Sequence, residues 1–247
     1  MFDFSTVKDQ AIAEKVRCEA MELVGHCHFG LQGVDKTEQD VKAVVNRMLK
    51  RGFQPFAFDT EIVFVPMIQS ILGSGQRLHC AISYPMGRMT LHKKLADLER
   101  LKKIGVRDVC VVLDWQAIFS ERYGDVEREA AVLMKEYGDA FDKNAFVIPA
   151  TLMSDTAIIN TCKALDQAGV YSVKINPGAK LNVSYEEIQL INRNFPRRFD
   201  IHPSGGIRYL GELERYLEMG CQVIHTAATL DIVEVFIERQ LKRYEAI

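Results

Sequence analysis

One pattern repeats about eight times along the chain: a short β-branched, apolar run, then a longer stretch with apolar residues at helical spacing. The clearest unit is a run over 78–85 followed by Leu91, Leu95, Leu98 and Leu101 and closed by Gly105. The next run, 108–114, is apolar on both faces, which suits a strand of a covered parallel sheet. Further strand-like segments are 24–29, 54–59, 145–150, 171–176, 199–203 and 222–226. The intervening stretches 37–49, 61–73, 126–137, 154–169, 208–219 and 230–245 read as helices, and Ser184 with Glu187 forms a capping box for another. Alternation of this kind requires parallel strands joined by helical crossovers, and this number of units fits a closed (β/α)₈ barrel, the TIM barrel. Residues 6–23 add an extra N-terminal helix. An open doubly wound sheet is disfavoured because no G-x-G-x-x-G follows the first strand. No linker or low-complexity tract breaks the series, so residues 1–247 are expected to form a single domain.

The totals exclude several classes. A formal charge of −2 gives no electrostatic footprint for nucleic acid or an anionic membrane, and no apolar run is long enough to span a bilayer. No signal peptide is recognisable at the N-terminus. The six cysteines are scattered without a C-x-x-C pair, as expected of free thiols in a reduced, cytoplasmic, soluble protein.

Within this frame a lysine stands out. Tyr171-Ser172-Val173-Lys174-Ile175-Asn176-Pro177-Gly178 reads as the sixth strand, ended by a proline–glycine turn. An ammonium in a buried strand is costly unless it is paired or neutralised, whereas a neutral lysine amine attacks carbonyl carbon. After the seventh strand, Ser204-Gly205-Gly206-Ile207-Arg208 offers backbone N–H groups at a helix start, a favourable place for an anion. After the eighth, Thr226 and Ala227 are small and leave the backbone accessible. In a (β/α)₈ barrel these two loops are the usual phosphate site.

Together these features resemble deoxyribose-phosphate aldolase, a class I aldolase family on a (β/α)₈ barrel, from about Val24 to the C-terminus. Ser172–Gly178 is similar to the family's Schiff-base strand, and Ser204–Arg208 is similar to its Ser-Gly-Gly-x-Arg loop about thirty residues later. Tyr84-Pro85-Met86-Gly87 is similar to its aromatic-Pro-x-Gly turn. The resemblance implies an imine-forming Lys174, no metal or organic cofactor, a sugar-phosphate or aldehyde substrate and a homo-oligomer. Gly178, Ser204, Gly205, Gly206, Arg208, Thr226 and Ala227 are the expected substrate and phosphate binders.

The proton-handling positions depart from the family. Cys110 stands at its strand-four aspartate and His202 at its strand-seven lysine, while Gly25 aligns with its strand-one aspartate. Cys110 is a poor general base, so Asp114, on the same strand face by the period of two, is a substitute candidate through a water. His202 could shuttle the proton, or lower the lysine pKa when protonated. A competing reading takes His26-Cys27-His28 as the start of a metal site, with His202, His225 and Asp114 completing it. The family register opposes it by turning Gly25 and Cys27 inward and both histidines towards the helices.

Overall fold

Helix starts in this chain are marked by side chains that accept backbone N–H groups the first turn leaves unpaired. Asp9 caps the helix Gln10–Val24, Thr90 caps Leu91–Lys103 and Ser154 caps Asp155–Gln167. Ser184 and Glu187 form a reciprocal capping box for Tyr185–Asn194, and Thr37 pairs with Asp40 ahead of Glu38–Lys50. Between these helices the β-branched runs become strands. The computed structural model describes residues 4–31, 36–50, 52–53, 55–73 and 77–245.

Eight parallel strands result: β1 (Cys27–Gly30), β2 (Ala57–Thr60), β3 (Leu78–Ile82), β4 (Asp108–Val112), β5 (Lys143–Ile148), β6 (Ser172–Ile175), β7 (Asp200–Pro203) and β8 (Ile224–Thr226). Each pairs with its sequence neighbour from β1 to β7, and β8 pairs with β1. Among the described residues, β7 and β8 are joined by a single bridge between Ser204 and His225, which closes the ring. The fold is the (β/α)₈ barrel, with the extra N-terminal helix in place. That helix lies against the last one, Thr229–Glu245, where Tyr244 donates to Glu19.

Several boundaries differ from the sequence reading. The first helix runs on through Val24, so β1 begins later, at Cys27. The segment 61–73 divides into a 3₁₀ turn, Ile62–Phe64, and a helix, Val65–Leu72, with Pro66 in the first turn, where its missing N–H costs nothing. Asp114 caps a further short helix, Trp115–Phe119, which the apolar pattern did not reveal. The expected start of β2 at Gln54 lies outside the described residues.

The two faces of each strand have different chemistry. Outward residues such as Phe29, Phe58, Cys80, Val109, Phe146, Val173 and Ile201 join the helices in one continuous core. Inward residues divide the barrel interior into halves. Cys110, Val112, Ala145 and Val147 make a small apolar wall on β4 and β5, backed by Ala81, Tyr84 and Trp115. The other half, from β1, β2, β3, β6, β7 and β8, carries buried polar side chains. The N-terminal end is closed by ion pairs: Arg77 grips Asp108 with bonds of 2.6 and 2.7 Å, and Lys143 meets Asp200 at 2.9 Å.

One buried charge outside the interior supports β4. Lys94 is fully buried, donates to the Val112 carbonyl at 2.8 Å and pairs with Glu129, which also accepts from the Asp114 N–H. Lys94→Met strips the partner from this enclosed carboxylate, and removing one member of a buried pair costs about 3–5 kcal/mol. Denaturant unfolding of that variant should show the loss; an unchanged midpoint would mean that Lys94 is dispensable.

Candidate active site

The period of two along β6 places Ser172 and Lys174 inside the barrel and Val173 and Ile175 outside. Lys174 is 1% exposed, and its ammonium has specific company. Nζ lies 3.3 Å from Asp59 Oδ2, 3.1 Å from His225 Nδ1 and 3.9 Å from Cys110 Sγ. Asp59 comes from β2, where Phe58 faces the helices and Asp59 the interior. The same carboxylate meets His79 Nδ1 at 2.7 Å and His225 Nδ1 at 3.0 Å. One aspartate thus organises a lysine and two histidines drawn from β3, β6 and β8.

The charges follow from that contact. Burial is the largest single influence and disfavours the Lys174 ammonium, but Asp59, aided by Cys110 and Tyr84, raises the lysine pKa above its ordinary value. Burial likewise opposes the Asp59 carboxylate, and Lys174 and His79 overcome this, holding it well below the carboxylate range. His79 would be neutralised by burial alone, yet Asp59 pushes it up to about 9. His225 has the opposite fate: burial and the Lys174 charge lower it well below the usual histidine value. The resting lysine is therefore a paired ammonium. This corrects the expectation of a lysine with a depressed pKa.

Above this cluster opens a cleft of about 1000 Å³ at the C-terminal ends of the strands. Asp59, His225 and Tyr84 face it from the barrel side. Gly178, Ser204, Gly205, Gly206 and Arg208 line its rim together with Thr226 and Ala227, so all seven residues expected at a substrate pocket meet there. Gly205 and Gly206 have φ of +95° and +78°, left-handed backbone that glycine adopts without penalty. A Cβ on Gly205 would sit 1.9 Å from the Leu181 carbonyl. The helix dipole behind this loop is already answered from within: Glu212 accepts the N–H groups of Arg208 and Tyr209. Anion donors at the rim are thereby reduced to the glycine loop, the β8 end and the Arg208 side chain.

The other expected site residues lie elsewhere. Asp114 accepts the Gln116 N–H as a helix cap and borders a separate cleft beside Arg88 and Trp115. Cys110 does face the lysine. His202 is level with Lys174 on the neighbouring strand, but its Nε2 turns towards Ser172 and Asp200, at 3.2 and 3.1 Å, near the closed end. Its pKa is lowered, by burial first, with Asp200 opposing.

The register expected for β1 is also corrected. Cys27 and Phe29 join the outer core, with Cys27 donating to the Leu23 carbonyl, and His28 points into the barrel. Because the first helix extends through Val24, the strand starts one position out of phase with the alignment. His26 stays at the opposite end, where Nδ1 meets the Gln222 carbonyl at 2.9 Å. His26, His28 and Asp114 are therefore not brought together.

No family model matches the chain. It is 24% identical to the deoxyribose-phosphate aldolase of Alkaliphilus oremlandii over 216 residues, which is 86% of this chain and 96% of that one. It is 25% identical to the Aquifex aeolicus deoxyribose-phosphate aldolase over 175 residues, covering 70% and 79% of the two chains. Both of these similar proteins are deoxyribose-phosphate aldolases. The fold agrees. A solved aldolase, QR15, superposes with a TM-score of 0.80 at 21% identity, over 89% of this chain and 97% of that one. The tetrameric deoxyribose phosphate aldolase from Aeropyrum pernix gives 0.77 at 20% identity, over 93% and 98%.

On β4, where the resemblance implies an aspartate, Cys110 faces the lysine, and the carboxylate in contact with Nζ is Asp59 on β2. Neither Asp59 nor His79 was apparent from motifs. Each, however, is a charged or titratable residue at an inward position of an otherwise apolar strand, which is the signal that marked Lys174.

Proposed function

We propose that this protein is a class I aldolase, an aldehyde-lyase, in which Lys174 forms an imine with the carbonyl of a hydroxy-aldehyde. The observation that carries this reading is a lysine buried inside the barrel, paired to Asp59 and His225 beneath a cleft at the C-terminal ends of the strands. Because the resting lysine is an ammonium, it must first give up a proton. Asp59 and the neutral His225 are the groups in contact with it, and Nζ, His225 Nδ1 and Asp59 Oδ2 form a triangle with sides of 3.0–3.3 Å.

The nominal reaction, brought from the relatives, is cleavage of 2-deoxyribose 5-phosphate to glyceraldehyde 3-phosphate and acetaldehyde. Nζ adds to the C1 aldehyde and water leaves, giving a protonated imine. A base removes the proton of the C3 hydroxyl, the C2–C3 bond breaks, and its electrons enter the imine to form an enamine while C3 becomes an aldehyde. Protonation of the enamine at C2 and hydrolysis release acetaldehyde and restore the lysine. We assign the proton transfers to the Asp59–His225 pair, with Cys110 and the apolar wall against the two-carbon fragment. Asp114 and His202 have no contact with the lysine that supports such a role.

The rim would hold the phosphate through Gly205, Gly206, Arg208 and Ala227. Gly205→Ala, which drives a Cβ against the Leu181 carbonyl, should displace this loop at a cost of about 1–3 kcal/mol. Its KM for the phosphate ester should rise more than its KM for free 2-deoxyribose; equal effects would remove the loop from phosphate recognition. A second reading, an unphosphorylated hydroxy-aldehyde, is favoured by Glu212 occupying the N–H groups of Arg208 and Tyr209. Comparing kcat/KM for the two sugars decides between them.

Borohydride reduction in the presence of acetaldehyde, followed by peptide mass spectrometry, tests the chemistry. An adduct on Lys174 is expected, and its absence from folded protein would overturn the imine mechanism. A reduced, cytoplasmic setting fits the free cysteines, five of which are buried. The tetrameric relative supports a homo-oligomer.

A further inference from the structure

The polar half of the barrel holds a second constellation, in which His225 of the aldol site is joined by two histidines, His28 and His79, that the aldol chemistry leaves unused. His28, His79 and His225, from β1, β3 and β8, turn their rings towards one another at centroid distances of 4.4, 4.8 and 5.0 Å. Their planes are inclined by 61–64°, like blades around a common axis. All three are buried, His28 completely. One ring nitrogen of each lies within 4.8 Å of the others. Both nitrogens of His28, Nε2 of His79 and Nε2 of His225 have no hydrogen-bond partner among the described residues. Buried polar atoms are nearly always satisfied, so four unpartnered imidazole nitrogens within one cluster of three rings call for a specific occupant.

The opposite edges of two of these rings are already fixed. Asp59 takes Nδ1 of His79 through one oxygen and Nδ1 of His225 through the other, at 2.7 and 3.0 Å. For His79, a carboxylate on Nδ1–H sets the tautomer that bares a lone pair on Nε2, as is common for metal-ligating histidines, whereas His225 Nδ1 is shared between Asp59 and Lys174 Nζ. Phe56 stacks on His28 at 5.1 Å and fixes the third ring.

We propose that His28, His79 and His225 bind a divalent transition-metal ion of the zinc class inside the barrel, with Asp59 as the carboxylate that orients two of the ligands. Imidazole donors suit zinc, cobalt, nickel or copper, and the absence of an oxygen cage disfavours magnesium and calcium. At Zn–N distances of about 2.0–2.1 Å the nitrogens draw closer than they now lie, so the rings close inward on binding. On His79 the ion takes the place of any proton on Nε2, while Nδ1–H stays on Asp59. Three protein ligands leave one coordination position for water. Asp59 is then shared: its oxygens hold two metal ligands on one side and the Lys174 ammonium on the other. The proposal does not rest on the imine chemistry.

The test begins with the full-length protein purified without chelator or added metal, whose metal content is measured by inductively coupled plasma mass spectrometry. The protein is then stripped with a chelator and titrated with Co²⁺. Stoichiometric bound metal, intense visible cobalt bands typical of low coordination number, and displacement of those bands by Zn²⁺ are expected. His28→Asn should lose both metal and bands while Lys174 still traps acetaldehyde. Substoichiometric metal with a cobalt spectrum no different from the aqua ion would overturn the proposal. So would undiminished cobalt bands in a folded His28→Asn variant. If that variant does not fold, the wild-type cobalt spectrum and its displacement by zinc decide alone.

Discussion

Lys174→Arg should be folded and inactive, with kcat down by roughly a thousandfold or more and no borohydride adduct at position 174. Arginine keeps the positive charge that Asp59 requires, so the buried pair is not broken outright. What it loses is the ability to become a neutral amine, because a guanidinium does not deprotonate in a protein. The variant therefore separates charge from nucleophilicity. Lys174→Met removes both and leaves Asp59 without its strongest partner, so it should be inactive and also less stable, by about 3–5 kcal/mol. Steady-state rates and thermal unfolding of the two variants side by side check the argument. Residual turnover by Lys174→Arg would sink the imine mechanism, whatever its stability.

Asp59→Asn is expected to have the second largest effect, and an uncommon one. This carboxylate serves Lys174, His79 and His225 at once, so its loss should lower stability by about 3–5 kcal/mol and reduce turnover sharply. Yet Asp59 is also what raises the lysine pKa against the effect of burial. Without it, the main opposition to desolvation is gone, and Lys174 becomes a neutral amine at lower pH. The rate of acetaldehyde trapping as a function of pH should therefore shift to lower pH even as kcat falls. An unshifted trapping profile would mean that Asp59 does not control the lysine charge.

The architecture was legible because it depends on local signals. Caps at Thr90, Ser154 and Ser184 and apolar stripes such as Leu91–Leu101 fix helices one at a time, and their alternation with apolar runs leaves few closed solutions. Lys174 and the glycine loop were legible for a different reason, as residues out of place in their local surroundings. The partners of Lys174 were not. Asp59 and His225 lie 115 and 166 positions from their contacts at Lys174 and Asp59, respectively, and only ring closure brings them together. His28 shows how small an error reverses a conclusion. The helix ends one residue later than expected, at Val24, the strand starts at Cys27, and a residue read as facing the helices becomes part of the interior. Asp114 illustrates the converse: sharing a strand face with Cys110 did not place it in the interior, because the strand ends at Val112 and the chain turns into a helix that Asp114 caps.

The single bridge between Ser204 and His225 has a consequence for how this barrel holds its shape. Among the described residues, every other neighbouring pair of strands is laced by a ladder, whereas this junction is the loosely stitched seam in the wall of staves. Its two residues belong to the pocket itself, one at the start of the glycine loop and one touching the lysine. A molecule gripping both the Ser204–Arg208 loop and the end of β8 would span the seam and act as a missing rung. Capturing a ligand and fastening the barrel would then be one event, and the free energy of the first would appear as rigidity in the second.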